Sequence, residues 1–175
     1  MPSPDKHGLP VRRLLTLSLL IAMELALSAV ESLIPPFVQL PGIKLGLANI
    51  ITLTAFALAP KKQVFLVVIL RLALAGLILG TFLTPVFWIS AGGGLLSFLV
   101  MALLSGRKPI SVAGVSLAGA AAHNTGQLAA AAFLLGNTGV FYYLPWLLLW
   151  SIPMGLFTGL SAKQAISALP KNNMV

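Results

Sequence analysis

The sequence predicts an all-α integral membrane protein of six transmembrane helices with both termini in the cytoplasm. Three observations carry this. Apolar side chains make up 58% of the 175 residues and charged ones only 8%, against about 25% in an ordinary soluble domain. The apolar residues fall into six runs bounded by proline, glycine or basic clusters. The basic residues then gather at alternate boundaries, as a chain threading a bilayer requires.

A spanning helix needs about 20 apolar residues, and the runs can be taken in order. The first, 12–34, follows the polar stretch MPSPDKHGLPVRR and stops at Pro35-Pro36. It is too long for the apolar core of a signal peptide. The second, 45–60, is short and closes at Pro60-Lys61-Lys62. The third, 63–80, stops ahead of Thr84-Pro85, which opens the fourth at 85–104. Gly106-Arg107-Lys108-Pro109 separates the fourth from the fifth, 110–136, and Gly136-Asn137 separates the fifth from the sixth, 140–163. Each break ends a helix for want of a backbone donor or through backbone freedom. Residues 1–10 and 166–175 are expected to be short cytoplasmic tails on one domain at 11–165.

With the N-terminus inside, Lys6, Arg12, Arg13, Lys61, Lys62, Arg107, Lys108, Lys163 and Lys171 all fall on the cytoplasmic side, leaving Lys44 in the first external loop and Arg71 within the third run. The net charge of +8 therefore reflects topology, not a nucleic-acid-binding face. Trp88, Phe141, Tyr142, Tyr143, Trp146 and Trp150 stand mostly where interfacial aromatic belts are expected. Repeated small-residue spacings, Gly76/Gly80, Gly155/Gly159 and the run Ser90-Ala91-Gly92-Gly93-Gly94, suit close helix contact in lipid.

The few polar side chains inside these runs are the candidate functional groups, because an ionisable group costs at least about 2.5–3.5 kcal/mol at the centre of a bilayer. Glu24 and Glu31 lie seven residues apart on one face of the first helix. Arg71 sits midway along the third. The AAHNTGQ stretch supplies His123, Asn124 and Gln127, with His123 and Gln127 four apart on one face. Lys44 and Asn49 come from ESLIPPFVQLPGIKLGLANIITL, a proline-rich loop between two helices. Glu24, Arg71 and His123 are expected near mid-membrane, and Glu31, Lys44 and Asn49 nearer the outer surface, around one externally open cavity with the loop as its lid. A purely structural reading stands beside this: a Glu24–Arg71 ion pair between helices, a solvated Glu31, a His123 bonded to a backbone carbonyl, and Asn49 as a helix cap.

Other chemistry is poorly provided for. The chain has three acidic residues and no cysteine, which excludes disulfides and thiolate metal sites. No pair of aspartate-rich motifs can hold magnesium against a diphosphate, and no nucleotide-binding loop is present. No catalytic residue, metal site or cofactor is expected, and the chain does not read as an enzyme.

The combination ESLIPPF…PGIKLGLANIITL, LRLALAGLILGTFLTP, SAGGGLLSFLVM and GAAAHNTGQLAAA resembles the bacterial family called Gx transporter, also known as heptaprenyl diphosphate synthase component I. The likeness runs from about Glu24 to Gly159. That family in turn resembles the substrate-binding (S) components of energy-coupling factor transporters, which are six-helix membrane proteins working with a second membrane subunit and two ATPases. The resemblance implies an S-component-like bundle in the bacterial plasma membrane that binds a small, vitamin-like or anionic molecule. Glu31, Lys44, Asn49, Arg71, His123, Asn124 and Gln127 are then the binding residues, and Ala22 and Ala26 the small residues that dock the energising subunit. Gly46 and Asn49 depart from the acids that S components often carry in the segment opening the second helix. Two other functions fit the same residues: a non-catalytic membrane accessory to prenyl diphosphate or quinone synthesis, and a proton-coupled secondary transporter.

The topology can be tested without background, because the chain has no cysteine of its own. Arg107→Cys is expected to react with a membrane-impermeant maleimide only after the membrane is opened, and Asn137→Cys in intact cells. The reverse pattern would invert the topology.

Overall fold

The computed structural model describes residues 8–33 and 46–169. These form six α-helices, with no strand among the described residues: α1 Gly8–Leu33, α2 Leu47–Leu58, α3 Lys61–Ile78, α4 Pro85–Leu104, α5 Val112–Leu135 and α6 Leu144–Ala168, with a 3-10 turn, Thr138–Tyr143, before α6.

The helix ends have local causes. The described part of α1 starts at Gly8, so helix is present four residues before the predicted 12. α4 starts at the predicted Pro85, behind the extended Thr84. Ser111 caps α5 by accepting a hydrogen bond from the Gly114 N–H (3.1 Å), and Gly136 closes it in the left-handed conformation (φ 60°). The predicted sixth helix, 140–163, is divided differently. Its first residues form the 3-10 turn, and α6 itself continues through the strong helix formers Lys163-Gln164-Ala165 to Ala168. It stops at Leu169, which is extended (ψ 139°) because Pro170 follows. Helix therefore extends three residues beyond the boundary predicted at 165, and three residues into the tail predicted at 1–10.

Three stretches are long and apolar enough to cross a bilayer: Leu14–Glu31 in α1, α4, and Thr138–Ala168. Between 11% and 28% of each is buried inside the bundle, so most of their apolar surface faces outward. Leu14, Leu15 and Leu19 of α1 and Leu149, Ile152 and Leu156 of α6 are exposed, an arrangement that water penalises and lipid does not.

The outer helices form an arc in the order α1, α3, α4, α5, α6, and α2 lies on its concave side, touching all five. Ile51 to Ala55 are buried without a break, as a central helix requires. One apolar cluster joins Leu20 of α1, Ile51 and Ala55 of α2 and Val64 and Val67 of α3. A second joins Leu53 of α2, Met101 of α4, Val115 of α5 and Ala162 of α6. At 12 residues, α2 reaches about 18 Å at 1.5 Å per residue. Its N-terminal end therefore lies partway along its longer neighbours.

Glycines set the closest helix approaches. A Cβ on Gly92 would fall 2.9 Å from the Gly126 carbonyl oxygen, and one on Gly93 2.9 Å from the His123 carbonyl oxygen, so α4 and α5 touch backbone to backbone. Gly155 and Gly159 do the same for α6 against Leu117 and Ala113 of α5.

The α4–α5 seam has no flexible neighbour that could make room for a methyl group at Gly126, where the obstruction is the backbone of Gly92. Gly126→Ala is expected to destabilise the bundle by about 1–3 kcal/mol, read as a lowered midpoint of thermal unfolding in detergent. Gly136→Ala serves as the comparison, since it meets no atom but strains a left-handed residue.

Candidate binding site

The inward stripe of α1 runs Leu20, Glu24, Leu27, Glu31, one residue per turn, so two of its four positions are carboxylates. Glu24 is fully buried. Thr52 of α2 donates its hydroxyl to Glu24 Oε1 (2.5 Å), and Arg71 Nε of α3 lies 3.2 Å from Glu24 Oε2. The second contact is one of charge, since neither Oε2 nor Nε makes a directed hydrogen bond. Three helices thus meet at one carboxylate.

Two turns further along α1, Glu31 Oε1 accepts the backbone N–H of Gly46 (2.5 Å), the residue that opens α2 in the left-handed conformation (φ 73°). A free N–H at a helix N-terminus is a good partner for a carboxylate. The pairs Glu24–Thr52 and Glu31–Gly46 are successive rungs of one antiparallel contact between α1 and α2.

Asn49 is half-buried, and its amide nitrogen sits 3.3 Å from the point where a Cβ on Gly46 would stand. It does not cap the helix: its backbone N–H bonds the Gly46 carbonyl (2.9 Å), and no side chain caps α2. Thr52, which meets Glu24 beside Arg71, stands at the level of Arg71, and Asn49 lies about one turn further toward the start of α2.

The α5 residues lie on the far flank of α4. A Cβ on Gly93 would stand 2.5 Å from Gln127 Cγ and 3.1 Å from His123 Cε1, while one on the adjacent Gly94 would stand 3.5 Å from Arg71 Nη2. The glycine run therefore separates the Glu24–Arg71 group from His123 and Gln127 by the width of one bare helix backbone. Gln127 Oε1 and Ser97 Oγ are buried on the α4–α5 seam and have no partner among the described residues. Asn124 turns toward α6, donating its amide to the Leu147 carbonyl (2.8 Å). Ala22 and Ala26 are exposed on α1, and Lys44 lies outside the described residues.

Arg71 is the group with donors to spare. Its side chain is 12% exposed, its Nε lies beside Glu24, and neither terminal nitrogen makes a hydrogen bond to a described residue. Such a planar pair of donors suits two acceptors side by side. Thr52 and Gly94 were not singled out from sequence. Thr52 follows Asn49 by three residues on the same face, and pairing α1 with α2 in antiparallel register would have brought it to Glu24. No group of three or more His, Cys, Asp or Glu residues able to hold a metal occurs among the described residues.

These features define a helical membrane protein with a buried, charge-paired polar layer. Residues 20–165 match the family model described as heptaprenyl diphosphate synthase component I, and the chain belongs to that family. No curated protein and no solved structure matches it.

Removing one partner of a buried ion pair leaves the other uncompensated, at a cost of about 3–5 kcal/mol. Glu24→Gln and Arg71→Gln are each expected to lower the unfolding midpoint sharply, and the double variant to recover most of the loss. A double variant as damaged as the sum of the two would show that the pair is not coupled.

Proposed function

We propose that this chain is a non-catalytic, membrane-embedded binding component. It holds a small polar molecule in the layer around Arg71, in the manner of an S component of an energy-coupling factor transporter. The observation that carries this reading is the half-buried Arg71, with Nε beside Glu24 and two terminal nitrogens that make no hydrogen bond among the described residues. A structural ion pair alone needs neither the unused fork nor the missing side chain at Gly94. Asn49, about one turn further out on α2, supplies a further polar group for orientation, while His123, Asn124 and Gln127 lie across the glycine run, where Asn124 is held by the Leu147 carbonyl. Glu31 holds the start of α2, and Lys44 adds a cation from the preceding loop. The exposed Ala22 and Ala26 offer a flat strip on α1 for an energising membrane subunit with its ATPases.

Six spans with both ends in the cytoplasm fit this reading. Of three acidic residues in the chain, Glu24 and Glu31 are engaged in helix contacts, which leaves little for the magnesium-assisted chemistry of prenyl elongation. Engagement of both Glu24 oxygens also makes it a poor proton carrier for a secondary transporter.

The family description favours a second reading, in which the chain is the membrane accessory of a prenyl diphosphate synthase. The two readings name different partners. Isolation of the tagged protein in mild detergent is expected to recover a membrane subunit and ATPases together with a bound small molecule. Recovery of a soluble prenyl synthase, with no ATPase, would replace the first reading by the second.

A further inference from the structure

We infer that the end of the bundle carrying Lys61, Lys62, Arg107 and Lys108 is a docking surface for anionic phospholipids. The four cations receive the head groups, and the acyl chains lie on apolar side chains next to them. Antiparallel packing brings these residues to one end. The contacts Glu24–Thr52 and Glu31–Gly46 run α1 against α2, and Gly92 against Gly126 with Met101 against Gly119 run α4 against α5. Leu53, Met101, Val115 and Ala162 mark a common level of α2, α4, α5 and α6. Beyond that level lie two turns, α2 to α3 with Lys61 and Lys62, and α4 to α5 with Arg107 and Lys108. Phe98 of α4 meets both Phe56 of α2 and Phe65 of α3, so the two turns belong to neighbouring helices.

All four cations are exposed, and the chain cannot neutralise them. It has three acidic residues. Glu24 is held at Thr52, six residues before the end of α2, or about 9 Å away from this end. Glu31 lies two turns further off, at Gly46. Asp5, outside the described residues, offsets at most one charge, and Lys6 follows it. The excess therefore draws anions from outside the chain. What flanks the cations decides which kind. Phe65 and Leu66, four residues after Lys61 and Lys62 and on the same face, are 43% and 47% exposed, and Leu103, four residues before Arg107, is 53% exposed. Each cation pair thus stands at the foot of an apolar strip. A phospholipid joins an anion to hydrocarbon in that order. An acidic protein or a polynucleotide would leave the strips against polar groups. Lysine and arginine side chains at helix ends also reach readily to head-group level.

The test equilibrates the whole protein in detergent with equal amounts of phosphatidylglycerol and phosphatidylcholine of the same acyl chains, and counts the lipids retained by native mass spectrometry. Phosphatidylglycerol is expected to be held at least about tenfold over phosphatidylcholine. That preference is expected to fall at least about fivefold at high salt and in the variant Lys61→Gln, Lys62→Gln, Arg107→Gln, Lys108→Gln, and to survive excess soluble glycerol phosphate. Each pair changed alone is expected to lose part of it, which keeps the test open should the fourfold variant not fold. Equal retention of the two lipids by the native chain, or an undiminished preference in the folded variants, would overturn the inference. Displacement by glycerol phosphate would do the same, since the apolar strips would then contribute nothing. Equal retention together with recovery of an acidic soluble protein, lost in the variants, would assign the face to a protein instead.

Discussion

A single carboxylate organises this bundle. Glu24 is buried on the inward face of α1, where an unpaired charge could not persist, and so it requires a cation and a hydrogen-bond donor from its neighbours. Arg71 and Thr52 answer that requirement from α3 and α2. The contact fixes three helices at one level, and the apolar cluster of Leu20, Ile51, Ala55, Val64 and Val67 packs below it. Hydrophobic contact alone does little to hold helices together in lipid, so register in this half of the molecule depends on the ion pair.

The other half is held by a different device. α4, α5 and α6 meet through glycines, Gly92 and Gly93 against the backbone of α5, and Gly155 and Gly159 against its opposite side. Here dispersion between closely spaced backbones takes the place of charge. α2 joins the two halves, since it touches every other helix. Arg71 and His123 approach α4 from its two flanks, at Gly94 and Gly93, so the polar residues of one half come near those of the other only across that glycine run.

Much of this was legible in the sequence. Composition and proline placement led to helices and to most of their ends, with Pro85 located to the residue because proline is favoured in the first turn, where its missing N–H is not needed. The scarcity of buried charge singled out Glu24 and Arg71, and these lie 3.2 Å apart. What could not be read was relative depth. The second helix was taken as nearly spanning, whereas it has only 12 residues, so its start lies partway along its neighbours. Thr52 was passed over because a threonine in an apolar helix usually returns its hydroxyl to its own backbone, as Thr54 does to Ile50 (2.8 Å). The distinct duties of Gly93 and Gly94 were equally hidden, since neighbouring glycines look alike until two different helices are seen to press on them.

The brevity of α2 bears on how it is held. A helix reaching about 18 Å cannot bridge a hydrocarbon layer about 30 Å thick, and its unpaired N-terminal amides have no water there to turn to. Its start is held instead by Glu31, which accepts the Gly46 N–H, so the central helix owes its footing to the longer helices around it.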